Sequence, residues 1–216
     1  LAAVWAEDNT RASILAAMKR REVYATSGPR IGVQFYAGWG LGEADLGAEN
    51  LYAQATAAGV PMGGELRSSG QGVASPGFIV QATRDPLGAN LDRIQIVKGW
   101  IDTDGETHEK VFDVAWSGED RLQQDGSLAA VGDTVDRARA TYTNDIGEPL
   151  LITAWSDPEF DAGQSAFYYA RVLQIPTPRH SLYDAIALKR DSAEGQPDVI
   201  QERAYTSPIW YHSNTQ

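Results

Sequence analysis

The chain has 216 residues, 43% of them hydrophobic, enough for a substantial core in one large β domain or in one domain joined to part of another. Six Trp, nine Tyr and five Phe suit half-buried strands and exclude a disordered chain. With 29 acidic residues against 18 basic ones the net charge is −11, which excludes nucleic acid as a partner and disfavours anionic membrane surfaces.

The absence of cysteine rules out disulfides and thiolate zinc and leaves the redox compartment open. No apolar run approaches the roughly 18 residues of a membrane helix, so no membrane span is expected.

The opening LAAVWAEDNT lacks the basic n-region of a signal peptide and reads as a strand cut from something larger. A helix is predicted over about residues 10 to 22. Asn9 or Thr10 is a natural N-cap, Ile14, Leu15 and Met18 fall on one face, and Lys19, Arg20 and Arg21 crowd the last turn, where cations offset the helix dipole. Next comes REVYATSGPRIGVQF. Arg20, Arg21, Tyr24, Thr26, Ser27 and Arg30 place cations and hydroxyls within eleven positions, the set an anion-facing rim would use. A structural role is equally coherent: the arginines cap the helix, Tyr24 joins the core and Gly28-Pro29 turns the chain.

From residue 31 onward the pattern is antiparallel strand. Ile31, Val33 and Phe35 alternate with polar or small residues, and GFIVQATRD, RIQIVKGWID, EKVFDVAWSG, ATYTN, LLITAWSD and AFYYARVLQI each have strand length and β-branched or aromatic enrichment. Asp104-Gly105 supplies a hairpin turn between RIQIVKGWI and KVFDVAW, with Ile94 and Ile96 pointing into the core. Residues 37 to 76 read as a long Gly-, Ala- and Ser-rich connection, and SLYDAIALKRD at 181 to 191 as a short second helix with Leu182, Ala185 and Ile186 as its stripe. Many strands without intervening helices predict a mainly β fold, an antiparallel β-sandwich of immunoglobulin-like or jelly-roll kind.

Motifs for chemistry are sparse. GWGLGEADLG lacks the strand before it and the helix after it that a dinucleotide fingerprint needs. DPEFD sets Asp157, Glu159 and Asp161 at alternate positions, a spacing that can gather oxygen ligands for calcium, although Ala162 and Tyr168 break the EF-hand pattern and a solvated turn explains the run as well. His108, His180 and His212 stand far apart with no H-x-H or H-E-x-x-H pairing, so loop or turn positions are expected of them. No G-x-S-x-G elbow is present, and no catalytic residue is assigned within the chain.

The runs AEDNTRASILAAMKRREVYATSGPRI, GVPMGGEL, DPLGANLDRIQIVKGW, THEKVFDVAWS, FYYARVLQIPTPR and QERAYTSPIWY together resemble the carboxy-terminal part of the bacterial family called domain of unknown function 3604. NLDRIQIVKGW and IPTPR are the most diagnostic, and the resemblance spans nearly the whole chain in order. Members of that family are similar to the polymerase and histidinol phosphatase (PHP) superfamily, whose distorted barrels bind metals through His and Asp clusters and hydrolyse phosphoesters. The resemblance implies that residues 1–30 are the last strand and helix of an α/β metal-hydrolase barrel and that residues 31–216 form an accessory sandwich.

The H-x-H and Asp-His ligand motifs of such barrels are not in this chain. No cofactor is therefore expected within it, and a divalent metal is expected in an upstream domain of the same protein, its expected partner. The resemblance also implies a small-molecule ester substrate and favours a periplasmic or secreted location over the cytoplasm. The alternative is a binding or assembly module for a carbohydrate, a surface or a subunit, with Trp39, Trp100 or Trp210 as the contact.

Overall fold

The computed structural model describes residues 1–47, 49–68, 75–191 and 194–213. Strand β1 (Ala2–Val4) leads to helix α1 (Arg11–Arg20) and the chain returns as β2 (Val23–Thr26). Thr10 caps α1 by accepting a hydrogen bond from the Ser13 N–H, and Arg21 ends it in the left-handed conformation at φ 65°. The side α1 buries is not its bulky apolar one. Ala17 is fully covered, while Leu15 and Met18 remain 48% and 55% exposed.

Then follow β3 (Gly32–Gly38), α2 (Leu51–Ala58), β4 (Val60–Pro61), β5 (Glu65–Arg67) and β6 (Gly77–Thr83). The connection expected at 37 to 76 therefore contains a helix, capped by the Asn50 side chain, and two short strands; residues 48 and 69–74 of it lie outside the described residues. β7 (Leu91–Ile101) and β8 (Thr107–Trp116) form the expected hairpin. Gly105 takes φ 84° in its turn, and Asp102 accepts hydrogen bonds from the N–H groups of Asp104 and Glu106.

The rest of the chain supplies β9 (Leu150–Ser156), β10 (Ala166–Gln174), β11 (Thr177–Pro178), α3 (His180–Ala187), β12 (Val199–Ile200), β13 (Arg203–Thr206) and β14 (Ile209–His212). ATYTN is not a strand. Ala140 sits at φ 51° and the Asp136 carboxylate accepts the Ala138 and Arg139 N–H groups, so the segment curls into a loop closed by one bridge between Asp136 and Thr141.

The protein is mainly β, with 39% strand and 16% helix. In the larger sheet β10 is the hub: β7 runs along one edge of it and β13 and β14 share the other, with β8 beyond β7 and with β2 and β1 beyond β13. Residues 1–30 thus contribute β1 and β2 to this same sheet. The smaller sheet has the order β4-β3-β6-β9. Pairing is antiparallel in both, apart from β5 beside β14.

Both sheets contribute to one core. Val33, Phe35, Phe78 and Val80 come from the smaller sheet, and Ile94, Ile96, Tyr168 and Val172 from the larger; Ile94 and Ile96 are fully buried, as their alternation predicts. Phe78 and Tyr168 meet across the interface with ring centroids 4.6 Å apart. At one seam Thr153 Oγ1 on β9 donates to Val114 O on β8 at 3.2 Å. At the other the chain crosses between sheets at Gly63-Gly64, where Gly63 adopts φ 82° and a Cβ would stand 2.3 Å from Arg21 O.

Candidate functional site

The anion-facing set of the opening segment leads to separate places in the fold. The Arg20 guanidinium lies 2.8 Å from Glu22, whose hydrogen bond raises the arginine's pKa, and Arg21 pairs with Glu65 at 3.1 Å. β2 alternates, so Tyr24 and Thr26 face inward. Tyr24 lies against Trp5 with its hydroxyl pKa pushed up by burial, and Thr26 Oγ1 is buried with no hydrogen-bond partner among the described residues. Ser27 Oγ donates to Glu202 and accepts the Arg203 N–H. Arg30 gives its backbone N–H to Asp85 at 2.7 Å, holding that carboxyl below its ordinary range, while its side chain stays exposed. Among the described residues no side-chain hydrogen bond joins two members of the set.

The acidic triplet at 157 to 161 diverges as well. Asp157 turns inward beneath β9, where Lys98 Nζ and Tyr168 Oη both donate to its Oδ2, at 2.6 and 2.8 Å. Glu159 faces outward to Lys110, and Asp161 accepts the Gly163 N–H of its own turn. A calcium ion would need all three carboxylates free and convergent, and the first already balances a buried ammonium. The three carboxylates of this run therefore point to three different partners.

The histidines are equally dispersed. His108 contacts Asp102 at 2.6 Å and stacks on Trp100, His180 opens α3, and His212 lies 3.8 Å from Glu65. Among the described residues no group of three or more His, Asp or Glu side chains is placed to hold a metal ion.

Of the three tryptophans singled out in the sequence, two are engaged. Trp39 donates its indole N–H to Arg67 O and packs edge-on against Phe160 and Tyr211; Trp100 lies under His108 with Lys98 Nζ 5.1 Å from its ring. Trp210 is 40% exposed. It belongs to a run of rings on the face of the larger sheet turned away from the core. β10 buries Ala166, Tyr168 and Ala170 and so presents Phe167, Tyr169 and Arg171 outward.

Register then joins neighbours to them: Trp210 stands beside Phe167, and Tyr205 beside Arg171. Ring centroids are 5.3 Å apart for Phe167 and Trp210, 6.4 Å for Phe167 and Tyr169 at 12° between planes, and 6.3 Å for Tyr169 and Tyr205. Phe167 lies over Gly99, where a Cβ would approach its ring to 2.2 Å. Phe167, Tyr169 and Tyr205 were not foreseen as a group. Their signal was present in AFYYAR, where aromatic residues occupy both alternating faces of one strand.

One comparison ties this arrangement to a known family. The family described as "protein of unknown function (DUF3604)" matches residues 1–213. The chain belongs to the DUF3604 family. No curated protein and no solved structure matches it. The two-sheet core and the outward aromatic face are therefore features of a DUF3604 chain. Among the described residues of this DUF3604 chain, no helix is long and apolar enough to cross a membrane.

Proposed function

We propose that this DUF3604 chain is the non-catalytic β-sandwich module of a metal-dependent hydrolase acting on phosphoesters or related esters, docked against a metal-binding domain that lies upstream in the same protein. The observation that carries this reading is α1. It exposes Leu15 and Met18 while burying Ala17, although burial of a Leu or Met side chain is worth about 1.5–3 kcal/mol. A helix so arranged has an apolar side available to a partner, and the superfamily resemblance of the flanking sequence supplies the partner: the barrel whose last strand and helix these residues resemble. In this reading the metal ligands belong to that partner, as the superfamily resemblance implies.

The test is made on the parent protein. It is expected to contain an H-x-H and a later Asp-x-His segment upstream, to bind a divalent metal, and to turn over a generic phosphodiester. Leu15→Asp with Met18→Asp is expected to free the two domains from each other, read as new proteolytic cleavage between them at unchanged metal content. A parent that neither binds metal nor hydrolyses esters ends this reading.

A further inference from the structure

The outward face of the larger sheet combines two rows of side chains. One is aromatic: Trp210, Phe167, Tyr169 and Tyr205, each ring within 6.4 Å of the next. The other is polar and runs beside it through Asp113, Gln95 and Arg171, which the register places side by side on β8, β7 and β10. Gln95 Nε2 donates to Asp113 Oδ1 at 2.8 Å, Arg171 Nε donates to Gln95 Oε1 at 2.7 Å, and Arg93 approaches Asp113 at 3.4 Å. This chain of hydrogen bonds fixes the polar side chains and balances the Asp113 charge. It leaves the two Nη groups of Arg171 free of any hydrogen bond among the described residues.

We propose that this face binds a neutral polysaccharide chain. Three properties of the surface select that chemistry. The rings follow one another along the outward face, Phe167 and Tyr169 with planes 12° apart and Trp210 and Tyr205 tilted by 52° and 44° to their neighbours, and Val97 beside Tyr169 is fully covered, so the ligand is one that lies along a surface and does not fill a pocket. Half-exposed aromatic faces beside fixed donors and acceptors suit a ligand whose ring faces are C–H and whose rim is hydroxyl, able both to donate to Asp113 and to accept from Arg171. The polar row is internally paired and the chain as a whole carries −11, so a polyanion meets repulsion and a polycation meets no unpaired carboxylate row. The proposal stands independently of the hydrolase reading, since it needs no upstream domain.

The experiment is native electrophoresis of the chain through gels containing, in turn, xyloglucan, mixed-linkage β-glucan, galactomannan, pullulan, polygalacturonate and polyethylene glycol. At least one neutral polysaccharide is expected to retard the protein, while polygalacturonate and polyethylene glycol leave it unmoved. Trp210→Ala and Tyr169→Ala are each expected to raise the dissociation constant for that polysaccharide at least tenfold without changing the far-ultraviolet spectrum. Should either variant misfold, the wild-type protein supplies a second readout. Bound polysaccharide is expected to shield Trp210 from N-bromosuccinimide oxidation, measured on the peptide that contains it. Retardation by none of the neutral polymers overturns the proposal, as does retardation that survives both substitutions, or stronger retardation by polygalacturonate. Concentration-dependent dimerisation abolished by Trp210→Ala, with no polysaccharide effect, would assign the face to a second copy of the chain and likewise overturn it.

Discussion

Lys98 Nζ lies 2.6 Å from Asp157 Oδ2, and both side chains are shut away from solvent. The pair links the middle of β7 in the larger sheet to the residue just after β9 in the smaller one, so it spans the two sheets as well as neutralising two charges. Tyr168 Oη and the Glu159 backbone complete the site, the hydroxyl donating to Asp157 and the carbonyl accepting from Lys98. Such a pair adds little net stability over an apolar replacement, but removal of one partner leaves a buried charge alone. Lys98→Met is therefore expected to destabilise the protein by about 3–5 kcal/mol in urea denaturation. Lys98→Met combined with Asp157→Asn is expected to recover part of that loss, and a double variant as unstable as the sum of the singles would contradict the account.

Ile96 and Leu87 test the core against the surface. Ile96 is fully buried between the sheets and Leu87 is 91% exposed in the turn before β7. Ile96→Ala is expected to cost about 2–5 kcal/mol and Leu87→Ala about 0.5 kcal/mol or less, measured by the same denaturation.

Arg20 and Arg30 separate capping from recognition. Arg20 is tied to Glu22, whereas the Arg30 guanidinium makes no ion pair among the described residues, and its charge helps to lower the pKa of the nearby Asp85. Each Arg→Ala change is expected to alter stability by about 1 kcal/mol or less. If the parent protein is the proposed hydrolase, Arg30→Ala is expected to lower its kcat/KM by about tenfold, the loss of one charge-assisted contact, while Arg20→Ala leaves it unchanged. Wild-type kinetics in the Arg30 variant would remove that residue from the anion-facing set.

Tyr36 and Tyr168 should govern the alkaline limit of the fold. Burial raises both hydroxyl pKa values above the ordinary value of about 10, and for Tyr168 the Asp157 carboxylate adds to the effect. A group whose folded pKa is raised contributes fully below its unfolded pKa, and that contribution disappears as pH rises beyond it. Stability is thus expected to hold up to about pH 10 and to fall above it. Tyrosinate absorbance should show these two hydroxyls ionising only as the protein unfolds, and Tyr168→Phe should flatten the fall. Smooth titration of all nine tyrosines in a still-folded protein would contradict this.

The long strands were legible in the sequence because each repeats its alternation several times; β7, β8, β9 and β10 need no tertiary information to be seen. β13 and β14 have four residues each, too few for a period to stand out, and they exist because β10 offers them an edge. α2 was hidden because Ala55 is its one fully covered residue, which leaves no apolar stripe to read. In α1 the stripe of Ile14, Leu15 and Met18 was visible, but the side that packs is marked by an alanine, whose small volume allows close approach. The working face was half legible. Trp210 could be named from its type, but whether an aromatic residue in a strand points inward depends on register, and a shift of one residue reverses the answer, as Tyr168 and its neighbours Phe167 and Tyr169 illustrate.

The pairing of β2 with β13 also sets an order in time. Ser27 and Arg203, which close the end of that pair, are 176 positions apart in sequence. β2 and the β1 strand beyond it have no route into the sheet until β13 has been synthesised and has left the ribosome, so these two strands, made well before β13, are secured only after it. Until then α1 is held by local contacts alone, and the nascent chain presents an open strand edge to whatever chaperone or neighbouring domain reaches it first.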